Sequence, residues 1–140
     1  METEHLLRQQ LIRDLIAEPP ENVVSAAISL WDQLSGQIVA IVGQGGFDSL
    51  YARSLFLSQS TFPWLEASAL SAQTERGFAE LKTSFEAQMP AQAAAANSLL
   101  LVTFTDILAA LIGEQLTTRI LRSAWSSSDL GTFSKELQND

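Results

Sequence analysis

The sequence has no cysteine and a single histidine, His5. The first absence excludes disulfides, thiol nucleophiles, zinc ribbons and iron–sulfur ligation. The second removes His-rich metal sites and leaves almost nothing from which to assemble a Ser-His-Asp machine. Positive charge is scarce as well: eight Lys and Arg stand against sixteen Asp and Glu, for a net charge of -8. That balance repels a phosphate backbone and argues against nucleic-acid binding. The opening Met1-Glu2-Thr3-Glu4-His5 lacks a basic region followed by an apolar one, so a cytoplasmic protein without a targeting peptide is expected. The most apolar stretch, Ser98 to Gly113, carries Thr103, Thr105 and Asp106. It falls short of the roughly 20 apolar residues a membrane span requires and reads as a buried core helix. Strand alternation and internal repeats are not visible, and the alanine run Ala93 to Ala96 is the one low-complexity tract.

What is present is helical. With 46% hydrophobic residues, 140 residues suit a single domain, 1–140, large enough to fold without staples. Leu7, Leu11, Ile12, Leu15 and Ile16 make the apolar stripe of a first helix, stopped at Pro19-Pro20. Val24, Ala27, Ile28, Trp31, Leu34, Ile38, Ile41 and Val42 step by three and four along a second. Gly43-Gln44-Gly45-Gly46 is expected to end it, and Asp48 to cap a third helix running to about Ser60, with a broad face of Leu50, Tyr51, Leu55, Phe56 and Leu57. Phe62 and Trp64 flank Pro63 as a loop anchor. A fourth helix, about Thr74 to Gln88, has the narrow stripe Phe78, Leu81 and Phe85, before Met89-Pro90. Ala91 to Trp125 would be about 50 Å long if unbroken. That exceeds a domain whose radius of gyration is roughly 14 Å. A bend near Gly113, or an Ala-rich start that frays or packs on a second subunit, is therefore expected. The tail from Asp129 to Asp140 could add a short helix. The fold class is an all-α bundle of about five helices with a long C-terminal core helix.

Few residues point to chemistry. The glycine run lacks the preceding strand and the lysine of a phosphate-binding loop, and Asp48 puts a negative charge where the phosphate would sit. It reads as a turn. His5 reads as a surface histidine, because the small and basic surroundings of a phosphoacceptor are missing. Thr103, Asp106, Ala110, Gly113 and Thr117 form a row of small residues that suits close helix packing, in the monomer or in a dimer. Arg53 lies between Leu50 and Leu57, so it is expected to be buried and paired with a carboxylate, Glu114 before Asp32 and Asp106. These four residues are the candidate buried polar network or ligand site.

Arg119, Arg122 and Trp125 near the end of the last long helix are candidate partner anchors, two arginines complementing the helix dipole and a tryptophan supplying contact area. The segments Ser49-Leu50-Tyr51-Ala52-Arg53-Ser54-Leu55, Phe62-Pro63-Trp64-Leu65 and Ile112 to Trp125 together resemble a group of small, uncharacterised bacterial helical proteins. The resemblance covers about a third of the chain. It implies a bacterial origin and a helical fold, and it carries no activity.

Three functions follow from this reading. The first is a non-enzymatic interaction or regulatory module, homodimeric, such as an adaptor in bacterial signalling. The second is a small-ligand sensor with a polar site near Arg53 and Glu114. The third, an enzyme working through Asp32, Asp106 and Glu114, lacks any acid/base or metal spacing to support it. No metal or other cofactor is expected.

Overall fold

The computed structural model describes residues 10, 12, 22–65 and 78–124. The expected first helix, apart from Gln10 and Ile12, and the expected tail helix lie outside these residues. Among the described residues the fold is all-α, with no strand. Helix α1 spans Val23–Ser58, a 3-10 turn follows at Pro63–Leu65, then α2 at Ala79–Glu86 and α3 at Pro90–Ile112. Residues 114–124 are helical as well.

The expected second and third helices are one hydrogen-bonded element with a single break. Gly43 has φ 82 and ψ 166, a region that only glycine occupies at low cost. Gln44, Gly45 and Gly46 are already helical again. The third helix thus begins about four residues earlier than expected, and Asp48 is not its cap. Instead Asp48 lies one turn inside, where its Oδ1 accepts a 3.0 Å hydrogen bond from the Gln44 side chain. The glycines differ in purpose. A Cβ on Gly46 would meet Val42 Cβ at 2.9 Å, whereas one on Gly45 would meet nothing within 4 Å.

The same geometry recurs at the end of α3. Gly113, with φ 97 and ψ 152, ends that helix while its N–H still donates to the Ala109 carbonyl at 2.8 Å. The chain turns helical again at once, and Thr117 ties the new helix to the break, its N–H and its hydroxyl both donating to the Gly113 carbonyl. The expected bend near Gly113 is therefore present. The Ala-rich start is helical from Pro90, with Ala93 and Ala96 fully buried within the protein and Ala91 and Ala95 exposed. Pro90 sits in the first turn of α3, where a missing N–H costs nothing.

The core lies where α1 meets α3. On α1 it is built from Val23, Ala27, Leu30, Trp31, Leu34 and Ile38 before the break, and from Phe47, Tyr51, Ser54, Leu55 and Ser58 after it. On α3 it takes Ala93, Ala96, Asn97, Leu100, Leu101, Phe104, Thr105 and Leu108. Thr117, Ile120, Leu121 and Ala124 continue it past Gly113. The α2 stripe of Phe78, Leu81 and Phe85 is buried as expected, as is Leu65 in the 3-10 turn. Phe62 and Trp64 anchor that turn, Trp64 packing edge-on against Phe85 at 6.0 Å.

Trp31 is the centre of this core. Its ring lies 5.4 Å from Tyr51, 5.8 Å from Phe78 and 5.3 Å from Phe104, and Phe47 stacks on Tyr51 and touches Phe104. Edge-to-face pairs of this kind add about 0.5–1.5 kcal/mol each beyond the area they bury. The indole N–H donates to Asn97 Oδ1 at 2.8 Å, which satisfies the two polar groups that helical packing has taken from water. Val24 and Ile28 share a cleft with Pro90, while Trp31 meets Asn97. The starts of the two long helices therefore lie together, and α1 up to its break runs beside α3 in the same direction.

Candidate functional site

The buried ionic network expected around Arg53 is not formed. Arg53 is exposed, and so are Asp32 and Asp106, while Glu114 is half-buried just past Gly113. The reason is the direction in which the second part of α1 faces. Tyr51, Ser54, Leu55 and Ser58 turn inward, whereas Phe56 is 67% and Leu57 41% exposed. Of the apolar neighbours that suggested a buried guanidinium, Leu50 is half-buried against the core while Leu57 and Phe56 stand in solvent, and Arg53 shares their outer side. Asp32 keeps one trace of partial burial: although exposed overall, its carboxyl is raised above the ordinary aspartate value by desolvation. Tyr51 is held firmly neutral, first by burial and second by the negative charge of Glu80.

The row of small residues also faces outward over most of its length. Asp106, Ala110 and Gly113 are exposed, Thr103 is half-buried, and only Thr117 is buried. The inner face of α3 is set by Leu100, Leu101, Phe104 and Leu108, so within the monomer only Thr117, beyond α3, joins the core from this row. Arg119 and Arg122 are exposed one turn apart on the helix after Gly113, and Leu116, 40% exposed, stands a turn before Arg119. Trp125 lies outside the described residues.

Two surface features remain as places where something could bind. The first surrounds the glycine breaks, where Ile41 is 50% and Leu111 63% exposed, with Leu116 just beyond. Because the first part of α1 and α3 run in the same direction, both breaks sit at one end of the bundle. The second is an open cleft of about 530 Å³ at the opposite end, lined by the apolar Val24, Ile28, Phe85 and Pro90 and by the polar Ser25, Lys82, Glu86 and Gln88. It contains none of the four expected network residues. Sequence reading did not find it, because it is made by the crossing of α2 over the starts of two helices remote in sequence. No group of three or more His, Asp or Glu among the described residues is placed to hold a metal ion.

Helix α3 differs from the apolar stretch expected from the sequence. It begins at Pro90, eight residues before that stretch, and at 23 residues it is long and apolar enough to cross a membrane by length and composition alone. Core helices of soluble proteins pass the same test. Compared with known proteins, the chain matches no family model, no curated protein and no solved structure.

Proposed function

We propose that the chain is a non-enzymatic helical interaction module of a bacterial cytoplasm, acting as a homodimer in an adaptor or regulatory role. One observation carries the reading: α3 is very apolar, yet only 39% of its most apolar stretch is buried inside the protein. A helix of that composition normally lies within a core. Here Leu111, and Ile41 on the neighbouring helix, are left in contact with water. Leu116, Arg119 and Arg122 extend the same end with the mixed apolar and arginine chemistry common at protein interfaces. A second copy is the simplest partner, since a self-complementary patch needs no other gene product.

Light scattering at tens of micromolar should give about twice 15.2 kDa. Leu111→Arg should return the mass to one chain without lowering the melting temperature. A single-chain mass for the wild type would sink the reading, and binding of the wild type to neutral lipid vesicles, lost in Leu111→Arg, would replace it with a membrane one.

A sensor reading is supported separately by the cleft under α2. Its lining mixes Val24, Ile28, Phe85 and Pro90 with Ser25, Gln88, one cation (Lys82) and one carboxylate (Glu86), so a small amphiphile would be held there only with its acidic group on the Lys82 side. A thermal-shift screen of anionic metabolites, repeated with Lys82→Met, tests it.

A further inference from the structure

We propose that the chain is a tandem pair of one helical unit folded against itself, so that the contact between α1 and α3 is a dimer interface enclosed within a single polypeptide. The observation is a register of 70 residues. Gly43 and Gly113 are 70 apart, and they are the two described residues with positive φ, both at nearly the same φ and ψ. Every residue buried between 23 and 54 has a buried counterpart 70 positions later: Ala27 with Asn97, Leu34 with Phe104 and Ile38 with Leu108 before the break, Phe47 with Thr117 and Tyr51 with Leu121 after it. In the reverse direction, Ala96, Thr105 and Ile120 are buried where Ala26, Ser35 and Leu50 are half-buried. No exposed residue of either stretch corresponds to a buried one in the other. The correspondence includes the surface, since the exposed Ile41 and Leu111 hold the same place two residues before their glycines.

Helical periodicity alone does not produce this. It would match buried stripes at several lags, but it would not bring two left-handed breaks into the same register. The prolines follow the register too: Pro90 opens α3, and Pro20 stands 70 residues before it. The buried Leu81 and Phe85 of α2 have Leu11 and Leu15 at the same distance. The register is looser there, for Ile12 is buried where Lys82 is exposed.

The large side chains of the core differ at matched positions, although Leu30 and Leu100, Ala40 and Ala110, and the two break glycines are the same residue. Trp31 corresponds to Leu101, Phe47 to Thr117 and Leu34 to Phe104, so a large group in one unit answers a smaller one in the other. This is how two equal backbones fill one core at native density. The symmetry type follows from the buried faces. A translation would lay the buried face of one unit against the outer face of the next, whereas here both buried faces meet in one core. The relation is therefore a pseudo-twofold rotation along the paired helices.

A twofold rotation makes a prediction that a translation does not. Under a twofold the distance from residue 54 to residue 93 equals the distance from residue 124 to residue 23. A circular permutant running 71–140 and then 1–70, with no residues added at the junction, should keep the helix content of the wild type. It should melt in one cooperative transition within a few degrees of it. A second permutant with a flexible linker of about 20 Gly and Ser residues at the junction controls for a strained joint. Folding of the permutant without linker supports the proposal. A fold recovered only with the long linker, or by neither permutant, overturns it.

Discussion

The two stretches 23–54 and 93–124 have the same pattern of burial and the same glycine break, yet they hold different chemistry. The first is aromatic, with Trp31, Phe47 and Tyr51 in its core, and the second sets Leu101, Thr117 and Leu121 at the matched places. Both are stable solutions because a core fixes total volume and polarity pattern more tightly than it fixes the residue at any one position. The comparison also separates what a glycine does from where it stands. Gly43 and Gly113 supply a conformation, Gly46 supplies space, and Gly45 supplies neither.

The strongest way to break the comparison is at its most unequal pair. Trp31→Ala should cost about 3–5 kcal/mol, and Leu101→Ala should fall toward the lower end of the roughly 2–5 kcal/mol expected for a buried leucine. Chemical denaturation measures both, and equal losses would mean that the aromatic cluster contributes nothing beyond volume. Asn97→Leu should cost about 1–3 kcal/mol, because it leaves the Trp31 indole N–H buried without an acceptor. The matched position, Ala27→Leu, strands no polar group, so its loss should come from overpacking alone.

The glycine breaks sharpen the comparison at the next scale. Gly43→Ala and Gly113→Ala should each cost about 1–3 kcal/mol, since alanine is forced into a region that L residues avoid. The two losses should be close to one another. Gly45→Ala should instead raise stability by about 0.4–1 kcal/mol, because the site is helical and open. If Gly45→Ala destabilised as much as Gly43→Ala, the break would extend over the whole glycine run.

The smallest expected effect is at Asp32. Its carboxyl has a raised pKa in the folded protein because desolvation makes the charged form less favourable there than in the unfolded chain. The stability tied to that shift is full below the unfolded aspartate value of about 3.8 and is lost as pH rises through the folded value. Asp32→Asn should therefore stabilise the protein slightly at neutral pH, with the gain shrinking toward zero in acid. A loss at neutral pH that shrank on acidification would instead mean that the carboxylate is held by a cation.

Some of this was legible in the order of residues. Proline and glycine act on their own backbone, so a break within Gly43–Gly46, a bend near Gly113 and a boundary at Met89-Pro90 could be placed without knowing any neighbour, while which glycine of the run leaves the helix could not. Apolar steps of three and four identified Ala27, Trp31, Leu34 and Ile38 on the inner side of α1 and the stripe of α2, but took the half-buried Val24 and Ile28 in place of Val23 and Leu30 and extended to the exposed Ile41. The outer face of α1 after its break could not be read in the same way. Arg53, Phe56 and Leu57 sit among apolar residues in sequence, and which side turns inward depends on the kink at Gly43, whose direction no local pattern states.

Only the tertiary structure decided the remaining points. The pairing of Trp31 with Asn97 joins residues 66 apart, and nothing near either one announces the other. The 70-residue register shows in the sequence only at scattered pairs such as Pro20 with Pro90 and Gly43 with Gly113, and the match of inner faces that connects them appears once the helices are packed. Composition and local stereochemistry determined an acidic, all-helical chain and the positions where it must bend. The choice of which faces meet, which charges stay in water and which apolar residues are left exposed fell to packing, because it depends on the sum of contacts between distant segments and on no single residue's preference.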